Sequence, residues 1–597
     1  MKPMRWVVMF VGVGCAVLRA QTLPNGVAAG DVDQTSAVLW VRSAVIGSVV
    51  FEYSQEADFV EAQRFNAEAV DPMIPVKVEL NDLQPGVEYS YRVTNSAAET
   101  TTGVFRTPFA DGFHGLRFGV SGDWRGELRP YPSIANVVER DLDFFVGLGD
   151  TIYADVPSGD FPGGQARTID EFRTKHNEGY RERFGINSWA DVRASTAWYA
   201  MTDDHEVTND FSGGAPSDSD ARFDSTGAFL NETVLFENGM QAFHEYNPIR
   251  EEFYGDTGDA RTAGKRKLYR FRRFGNDAAM FMVDARSFRD AELEGLLTPP
   301  GARAFKEYVR TSFDPTRTML GEAQLNDLFT DLLAAESDGV TWKFILIPEP
   351  IQNLGPLLAS DRFEGYAFER TRILSFLEDH GIKNVVFIAA DIHGTIVNDI
   401  AYQKSAGARQ RRTPYFEITT GSVAYAAPLG PTTLEFAPPF LRTIYAGLQG
   451  VARDQFVSGV ADALLGLYGY PATGLRHSLS GARLLEGRYV AVHSYGWTEF
   501  DVDAETQRLT VTTYGVEWYD EAELLADPQG VIARRPQVVS RFQVDATLKN
   551  GEPPSVPPSV GRRSPCGALG AVTTLAWPIV MIAMLSARRR TTLRRRM

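Results

Sequence analysis

Five short apolar runs are each followed within three residues by an aspartate. Runs of this kind are typical of strands buried on both faces of a sheet, and stretches of helical spacing lie between them. Sheets of α/β proteins place their binding sites beyond the carboxyl ends of the strands. One such aspartate is often only a helix N-cap, but five predict convergence on one site. The runs span residues 116–120, 144–148, 197–201, 278–283 and 385–390, and their aspartates are Asp123, Asp150, Asp203, Asp284 and Asp391.

The third run leads into the densest group of polar donors in the chain, M-T-D-D-H-E-V-T-N-D at 201–210. It supplies four carboxylates together with His205 and Asn209. A second histidine, His393, follows Asp391, so two of the eight histidines lie in strand-end motifs. Oxygen donors combined with an imidazole are typical of a site for a divalent or trivalent cation. A solvated acidic turn or a helix cap is the alternative.

Such a cluster supports the hydrolysis of phosphate esters. Cations held by shared carboxylates lower the pKa of a bound water, orient the phosphoryl oxygens and neutralise the leaving oxygen. Asp150 follows a glycine at a sharp turn and is the natural bridging ligand. Arg125 and Arg286 lie beside aspartates of the cluster and are candidates for holding the phosphate oxygens.

The region 24–108 alternates apolar and polar residues in short runs separated by turn residues, which predicts a small β-sandwich. Within it, L-Q-P-G-V-E-Y-S-Y-R-V at 83–93 resembles the tyrosine-corner stretch of fibronectin type III and immunoglobulin-like domains. A positional role and a role as an independent carbohydrate- or surface-binding module both remain open.

Helical spacing predicts helices at 134–140, 232–246, 323–335 and 370–380. Residues 210–265 and 424–480 are expected to leave the sheet and form pocket walls or a lid. The second of these is rich in apolar residues, proline and glycine, so an interaction or membrane-resting surface is its alternative. Strands are expected again from 489 to 544, before a proline-rich spacer at 547–565.

Both ends of the chain resemble targeting segments. Lys2, Arg5 and the apolar run 6–18 before Ala20 predict a signal peptide over 1–20. Residues 568–586 carry no charge and precede six arginines, which predicts a membrane span or a cleaved sorting tag within 566–597. The protein is therefore expected to be exported to the periplasm or cell surface, and to be held at the membrane unless this segment is removed.

Charge and cysteine content exclude other classes. The net charge is −16 although the terminal segments are basic, so no nucleic-acid-binding surface is expected. The only cysteines, Cys15 and Cys566, lie in the terminal segments. The body of the protein is therefore expected to have neither a disulfide bond nor a thiolate metal ligand. A small phosphate ester remains a suitable substrate because bound cations invert the local field.

Six motifs occur in the order seen in PhoD-type alkaline phosphatases, and the chain resembles this metallophosphoesterase family over residues 24–546. The resemblance implies a four-layer αββα catalytic domain and an iron and calcium centre that acts on phosphate mono- and diesters. It implies Asp150, Asn209, Asp391 and His393 as metal ligands, with His205 next to the metals or the phosphate. The motifs are G-D-T-I-Y at 149–153, D-D-H-E-V-T-N at 203–209, V-D-A-R-S-F-R at 283–289, W-K-F-I at 342–345, D-R-F-E-G-Y at 361–366 and D-I-H-G at 391–394.

The chain departs from this family at the first strand end, where iron-dependent relatives have a cysteine after the serine. Here the sequence is V-S-G-D, with Gly122 in that place, and Asp123 is expected to supply the ligand instead. Without the thiolate, calcium, manganese, magnesium and zinc become as plausible as iron.

The sequence thus predicts an α/β protein with a four-layer αββα domain over 115–546, preceded by the β-sandwich. The predicted function is that of an exported phosphatase, acting on mono- or diesters through a metal-activated hydroxide. A calcium-stabilised cell-surface binding protein and a carboxylate-pair hydrolase of another ester or glycoside class are the alternatives.

Overall fold

The computed structural model describes residues 21–294, 296, 301–355, 361–435, 437–476 and 479–548. The predicted signal peptide, the predicted C-terminal membrane or sorting segment and most of the predicted spacer lie outside these residues. Among the residues described, no helix combines the length and the apolar character that crossing a membrane requires.

The described residues form 22 strands in three sheets. In chain order the strands are β1 (Val27–Gly30), β2 (Ala37–Val41), β3 (Gly47–Ser54), β4 (Gln63–Ala69), β5 (Val76–Leu80), β6 (Glu88–Asn95), β7 (Thr100–Arg106), β8 (Leu116–Trp124), β9 (Phe144–Gly147), β10 (Ala197–Ala200), β11 (Arg270–Phe274), β12 (Ala278–Met282), β13 (Trp342–Leu346), β14 (Val385–Ala389), β15 (Thr395–Tyr402), β16 (Arg411–Thr419), β17 (Ser422–Ala424), β18 (Arg483–Gly487), β19 (Val490–Ala491), β20 (Ser494–Val502), β21 (Leu509–Glu517) and β22 (Gln537–Val544).

Eleven α-helices accompany the sheets in the described part of the chain. They are α1 (Ile169–Tyr180), α2 (Ser188–Ser195), α3 (Val234–Tyr246), α4 (Ala302–Ser312), α5 (Glu322–Ser337), α6 (Ala367–Asp379), α7 (Leu429–Glu435), α8 (Pro439–Ala446), α9 (Val451–Leu467), α10 (Glu521–Ala526) and α11 (Pro528–Ile532).

Three parallel strands, β8, β9 and β10, form the centre of the first sheet. The sheet continues through β20, β21, β22 and β18 on one side and through β1, β2 and β5 on the other, while β17 pairs with β8. The second sheet has the order β11-β12-β13-β14-β16-β15-β19, and its central strands β12, β13, β14 and β16 are parallel. All five apolar runs that predict buried strands lie in these two parallel centres, as β8, β9, β10, β12 and β14.

The two sheets pack face to face, and helices cover their outer faces. Between the sheets, the ring of Phe118 lies 5.0 Å from that of Phe344. Leucines and isoleucines of α5 and α6 pack against the far side of the second sheet. A separate aromatic core around Trp124 and Trp189, whose rings are 4.2 Å apart, joins α2 to the far side of the first sheet. These four layers confirm the predicted αββα architecture.

The N-terminal region is an antiparallel sandwich that shares a sheet with the rest of the protein. Strands β3, β4, β6 and β7 form a separate sheet, whereas β1 pairs in parallel with β10, with Ala29 opposite Ala197. The hydroxyl of Tyr89 accepts a hydrogen bond from the backbone N–H of Gln84 at 2.9 Å, a contact of the kind that a tyrosine corner makes. The first sheet therefore crosses the domain boundary predicted after residue 108.

The helix predicted at 134–140 is absent, and this prediction is wrong. The chain forms short 3-10 turns at Pro132–Ile134 and Val137–Glu139 instead. The segment is bounded by left-handed residues on both sides, Tyr131 with a φ of 63° and Asp141 with a φ of 49°, so a helix here could extend no further in either direction. The other three predicted helices are present as α3, α5 and α6, and the excursion predicted at 424–480 carries α7, α8 and α9.

Candidate metal centre

The acidic side chains of the site stand at the carboxyl ends of β8, β9, β10, β13 and β14, drawn from both sheets. Four residues at these ends have left-handed backbone conformations. The φ angles are 59° at Asp123, 52° at Asp150, 63° at Asp391 and 57° at His393. Non-glycine residues adopt this region at a cost, and such residues concentrate at functional sites. The sharp turns aim the side chains of successive strand ends into one space.

Two groups of potential ligand atoms share Asp150. In the first, ligand atoms of Asp123, Asp150 and His393 lie within 4.8 Å of one another, and in the second the same holds for Asp150, Asp204 and His205. Asp123 is fully buried, and neither of its carboxylate oxygens has a hydrogen-bond partner. Its Oδ1 lies 3.4 Å from Nε2 of His393. A buried carboxylate without a donor is costly unless a cation stands beside it.

The pKa values of the strand-end aspartates also indicate that a cation belongs beside them. Burial, followed by repulsion from neighbouring carboxylates, raises the pKa of Asp123 to about 8 against the attraction of His205. The same two causes raise the pKa of Asp150 and of Asp391 well above the ordinary aspartate value. Added positive charge would favour the ionised form of all three groups. Carboxylate oxygens with one imidazole nitrogen are a suitable donor set for manganese, zinc, calcium or iron, so the residues present fit a metal centre.

Glu206 ties the turns after β9 and β10 together. Its buried carboxylate accepts hydrogen bonds from the backbone N–H groups of Asp150 (3.1 Å), Thr151 (2.7 Å) and Asp203 (2.8 Å), and from the hydroxyl of Thr151 (2.7 Å). In return, the carboxylate of Asp150 accepts from the backbone N–H of His205 at 3.2 Å. Glu206 is therefore a backbone anchor that fixes the position of Asp150.

His205 is oriented by a carboxylate that sequence reasoning did not single out, that of Asp155. Nδ1 of His205 lies 2.6 Å from Oδ1 of Asp155, whose other oxygen accepts from the backbone N–H of Asn209 at 2.8 Å. Burial lowers the pKa of His205, but Asp204 and Asp155 outweigh burial and raise it to about 9. Asp155 lies two residues beyond the G-D-T-I-Y motif and eight residues after the end of β9, too far to be recognised as a strand-end aspartate.

Arg286 lies among a further set of carboxylates, which overlaps the two ligand groups that share Asp150 only at Asp204, and its side chain is only 1% exposed. Its Nε lies 2.5 Å from Oδ1 of Asp203, and its Nη2 pairs with Glu349. The same Nη2 also lies 3.3 Å from Asp361, 3.6 Å from Asp204 and 3.8 Å from Asp391. These contacts make Arg286 the counter-charge of the acidic cluster.

Two members of this group, Glu349 and Asp361, were missed. Glu349 follows β13 by three residues, so it has the same position relative to a buried strand as the predicted aspartates. Lys343 interrupts the apolar run of β13, so the sequence did not show an uninterrupted apolar run before Glu349. Asp284 differs from the other predicted strand-end aspartates, because its carboxylate caps the N–H groups of Arg286 (2.9 Å) and Ser287 (3.0 Å) in its own turn.

Aromatic rings support both histidines. The ring of His393 stacks on Tyr425 at 3.5 Å between centroids, and the ring of His205 lies 4.2 Å from that of Tyr153. The guanidinium of Arg125 lies over both tyrosines, 5.6 Å from the centroid of Tyr153 and 5.7 Å from that of Tyr425. Arg125 also pairs with Glu127, so it forms part of the wall around the two histidines.

Asn209 is exposed at the end of the same loop. The contacts that fix it come from its backbone, whose carbonyl accepts from Nη1 of Arg222 at 2.6 Å and whose N–H donates to Asp155. Its role as a metal ligand stays a prediction.

The packing around Gly122 accounts for the departure at the first strand end. A Cβ atom at this position would lie 2.7 Å from Cβ of Ala390, closer than carbon atoms approach without displacement. A cysteine therefore does not fit here without movement of β14. The neighbouring Asp123 has its carboxylate buried at the same strand end, and its role as the ligand in place of a cysteine stays a prediction.

Comparisons with known proteins identify the family to which the fold and sequence are similar. The family described as PhoD-like phosphatase matches residues 121–445, and the family described as PhoD-like phosphatase, N-terminal domain, matches residues 16–109. Alkaline phosphatase D of Bacillus subtilis (strain 168) is 26% identical over 408 residues, which cover 63% of this chain and 65% of that relative. A solved structure of PhoD has a TM-score of 0.63 at 18% identity, and covers 95% of this chain and 99% of its own.

Proposed function

The chain belongs to the PhoD-like phosphatase family, and from this premise we propose that it is an exported, metal-dependent hydrolase of phosphate monoesters, diesters or both. The observation that carries the proposal is the position of Asp150, whose carboxylate forms one group with Asp123 and His393 and lies beside the carboxylate of Asp204 in a second. A shared carboxylate is the usual bridge between two neighbouring cations.

Asp123, Asp150 and His393 would hold one cation, and Asn209 and Asp391 are the predicted further ligands. When bound, divalent or trivalent cations lower the pKa of a water and neutralise the oxygens of a phosphoryl group. Calcium, manganese, magnesium and zinc suit these donors, and iron remains a candidate although Asp123 replaces the family's cysteine.

His205 is proposed to donate a proton to the phosphate or to its leaving oxygen. The carboxylate of Asp155 only accepts hydrogen bonds, so it binds the Nδ1–H of His205 and directs Nε2 away from itself. In the protein without bound metal, the raised pKa of about 9 keeps the imidazole protonated at neutral pH. An oriented, protonated imidazole is a suitable general acid.

The two arginines are proposed to have different roles. Arg286 balances the charge of Asp203 and Glu349 and positions the acidic strand ends, because it is wholly buried among carboxylates. Arg125 stands beside the aromatic wall that supports His205 and His393, and is the better candidate for contacting phosphate oxygens.

Export is proposed from the predicted signal peptide at 1–20, and membrane attachment from residues 566–597 unless they are cleaved. A small phosphate ester is the proposed substrate. The acidic body supports this choice over a nucleic acid, because it repels polyanions outside the local field of bound cations.

The test is hydrolysis of 4-nitrophenyl phosphate and bis(4-nitrophenyl) phosphate by the purified protein with a panel of metals. We expect Asp150→Asn to abolish turnover and His205→Asn to lower kcat by about a hundredfold or more. Asp58→Asn, at an exposed carboxylate of the N-terminal sandwich, is the matched control and should retain full activity. Full activity of Asp150→Asn would refute the proposed site.

The same assay separates the alternatives. Strong calcium-dependent stabilisation without hydrolysis under any metal would favour a calcium-stabilised binding protein. Cleavage of 4-nitrophenyl glycosides or carboxylic esters without cleavage of phosphate esters would favour a carboxylate-pair hydrolase.

A further inference from the structure

The stretch from Tyr425 into α7 holds His393 at two points. The ring of Tyr425 stacks on the imidazole at an interplanar angle of 18°, and the backbone N–H of Leu429 donates to the carbonyl of His393 at 3.0 Å. Leu429 also packs against the next residue, since a Cβ atom on Gly394 would lie 2.8 Å from Cβ of Leu429. This stretch therefore constrains both the ring and the left-handed backbone of His393.

A chain of three hydrogen-bonded side chains joins the helices that follow to the start of β20. Nδ1 of His493 lies 2.6 Å from Oδ1 of Asp454 on α9, and its Nε2 lies 2.7 Å from the hydroxyl of Tyr445 on α8. The carboxylate only accepts, so Nδ1–H of His493 donates to Asp454, and Nε2 forms the hydrogen bond with the hydroxyl of Tyr445. We name Tyr445, His493 and Asp454 the latch.

The latch also has backbone support. Asp454 accepts from the N–H of Val492 at 2.9 Å, and the N–H of Gly430 donates to the carbonyl of Val492 at 2.8 Å. Gly430 lies so close to His493 that any Cβ atom there would collide with the imidazole. Leu429 and Gly430 are consecutive, so α7 begins between His393 on one side and His493 on the other.

We propose that the latch residues are positioning residues for the metal centre, which lock α8 and α9 against the start of β20 and thereby keep Tyr425 and Leu429 on His393. This inference rests on the proposed role of His393 as a metal ligand. If these residues served only to pack the helices, apolar side chains would fill the same space without the cost of removing polar groups from water. A fully bonded polar network instead selects one arrangement of the helices.

The experiment measures Zn²⁺ affinity of the metal-stripped full-length protein by competition with a chromophoric chelator, beside its Tm without metal. The variants are Tyr445→Phe and Asp454→Asn. Tyr468→Phe is the control, because Tyr468 follows the far end of α9 and packs on Phe305 at 4.7 Å. We expect the latch variants to bind Zn²⁺ about tenfold more weakly, as is usual when groups behind a metal ligand are lost, and the control to bind as the wild type does.

The outcomes distinguish the two proposals. Unchanged Zn²⁺ affinity in both latch variants, with weakened binding in His393→Ala, would overturn the latch but leave the metal site intact. Unchanged affinity in His393→Ala would overturn the metal-site assignment itself. Gly430→Ala disturbs the latch from the opposite side, and should weaken Zn²⁺ binding as well if the latch acts through α7.

Discussion

At the scale of single residues, the centre combines two costs in the same side chain. Asp123 has a left-handed backbone, which costs a non-glycine residue about 1–3 kcal/mol, and a buried carboxylate that no hydrogen bond satisfies. A cation bound by Asp123, as proposed, would offset the cost of burying the carboxylate and would give a reason for the left-handed backbone. Without the cation, both remain as destabilising contributions.

Replacing this residue with glycine removes both costs. We predict that Asp123→Gly raises the stability of the metal-free protein by about 1 kcal/mol or more and weakens metal binding. Asp82→Gly is the control, because Asp82 has a similar φ of 60° but is exposed, so it reports the backbone contribution alone. Denaturant unfolding with and without metal measures both variants. Lower metal-free stability in Asp123→Gly than in the wild type would contradict this account of the site.

The raised carboxylate pKa values predict how the metal-free protein responds to pH. Asp123, with a pKa of about 8, keeps its proton in the folded state above pH 4, where the unfolded chain releases it. Unfolding therefore releases protons between about pH 4 and pH 8, so stability falls as pH rises, by about 1.4 kcal/mol per pH unit for each proton retained. Tm values at pH 7 and pH 8 test this, because the buried histidines His176 and His393 have lowered pKa values and affect stability only below about pH 6.5. Loading the protein with metal should reduce the difference. A metal-free Tm that rises over this range would contradict it.

At the scale of elements, the sequence pattern of an apolar run followed by an aspartate located most of the candidate site. It did so because strands buried on both faces carry uninterrupted apolar runs. It failed where a polar residue broke the run, as Lys343 does in β13, and Glu349 was missed for this reason. It also overcounted at Asp284, since a strand-end aspartate that caps its own turn has the same sequence pattern as one that faces a ligand.

Strand partners were less predictable than strands. The alternating pattern predicted short strands in the N-terminal region but did not indicate which of them would join the large sheet. Ala29 pairs with Ala197, far away in the sequence, and local periodicity carries no information about such a pairing. The resemblance to a known family supplied the layer architecture that periodicity left open.

The junction between β1 and β10 gives a prediction at this scale. Gly30 pairs with Trp198, and a Cβ atom at Gly30 would collide with the carbonyl of Trp198 and lie 2.8 Å from that of Pro248. We predict that Gly30→Ala lowers the free energy of unfolding by about 1–3 kcal/mol, as overpacking usually does. Gly255→Ala, where a Cβ atom would meet open space, should change little. Equal stability of the two variants would show that the junction tolerates displacement.

At the scale of the whole molecule, two sheets bring opposite charges to one edge of an acidic protein. Carboxylates arrive from the ends of β8, β9, β10, β13 and β14, and Arg286 lies among them. With a net charge of −16, the body repels anions in general, so an anionic substrate requires local positive charge at the site. The central claim is that bound metal ions supply this charge and that activity depends on them.

The most direct test is a titration of the chelated, metal-free protein with a divalent metal, in which bound metal per chain and hydrolysis of 4-nitrophenyl phosphate are measured in the same samples. The account predicts no activity without metal, and activity that rises in parallel with bound metal until the site is filled. Full activity in the metal-free protein, or activity that is independent of bound metal, would contradict it.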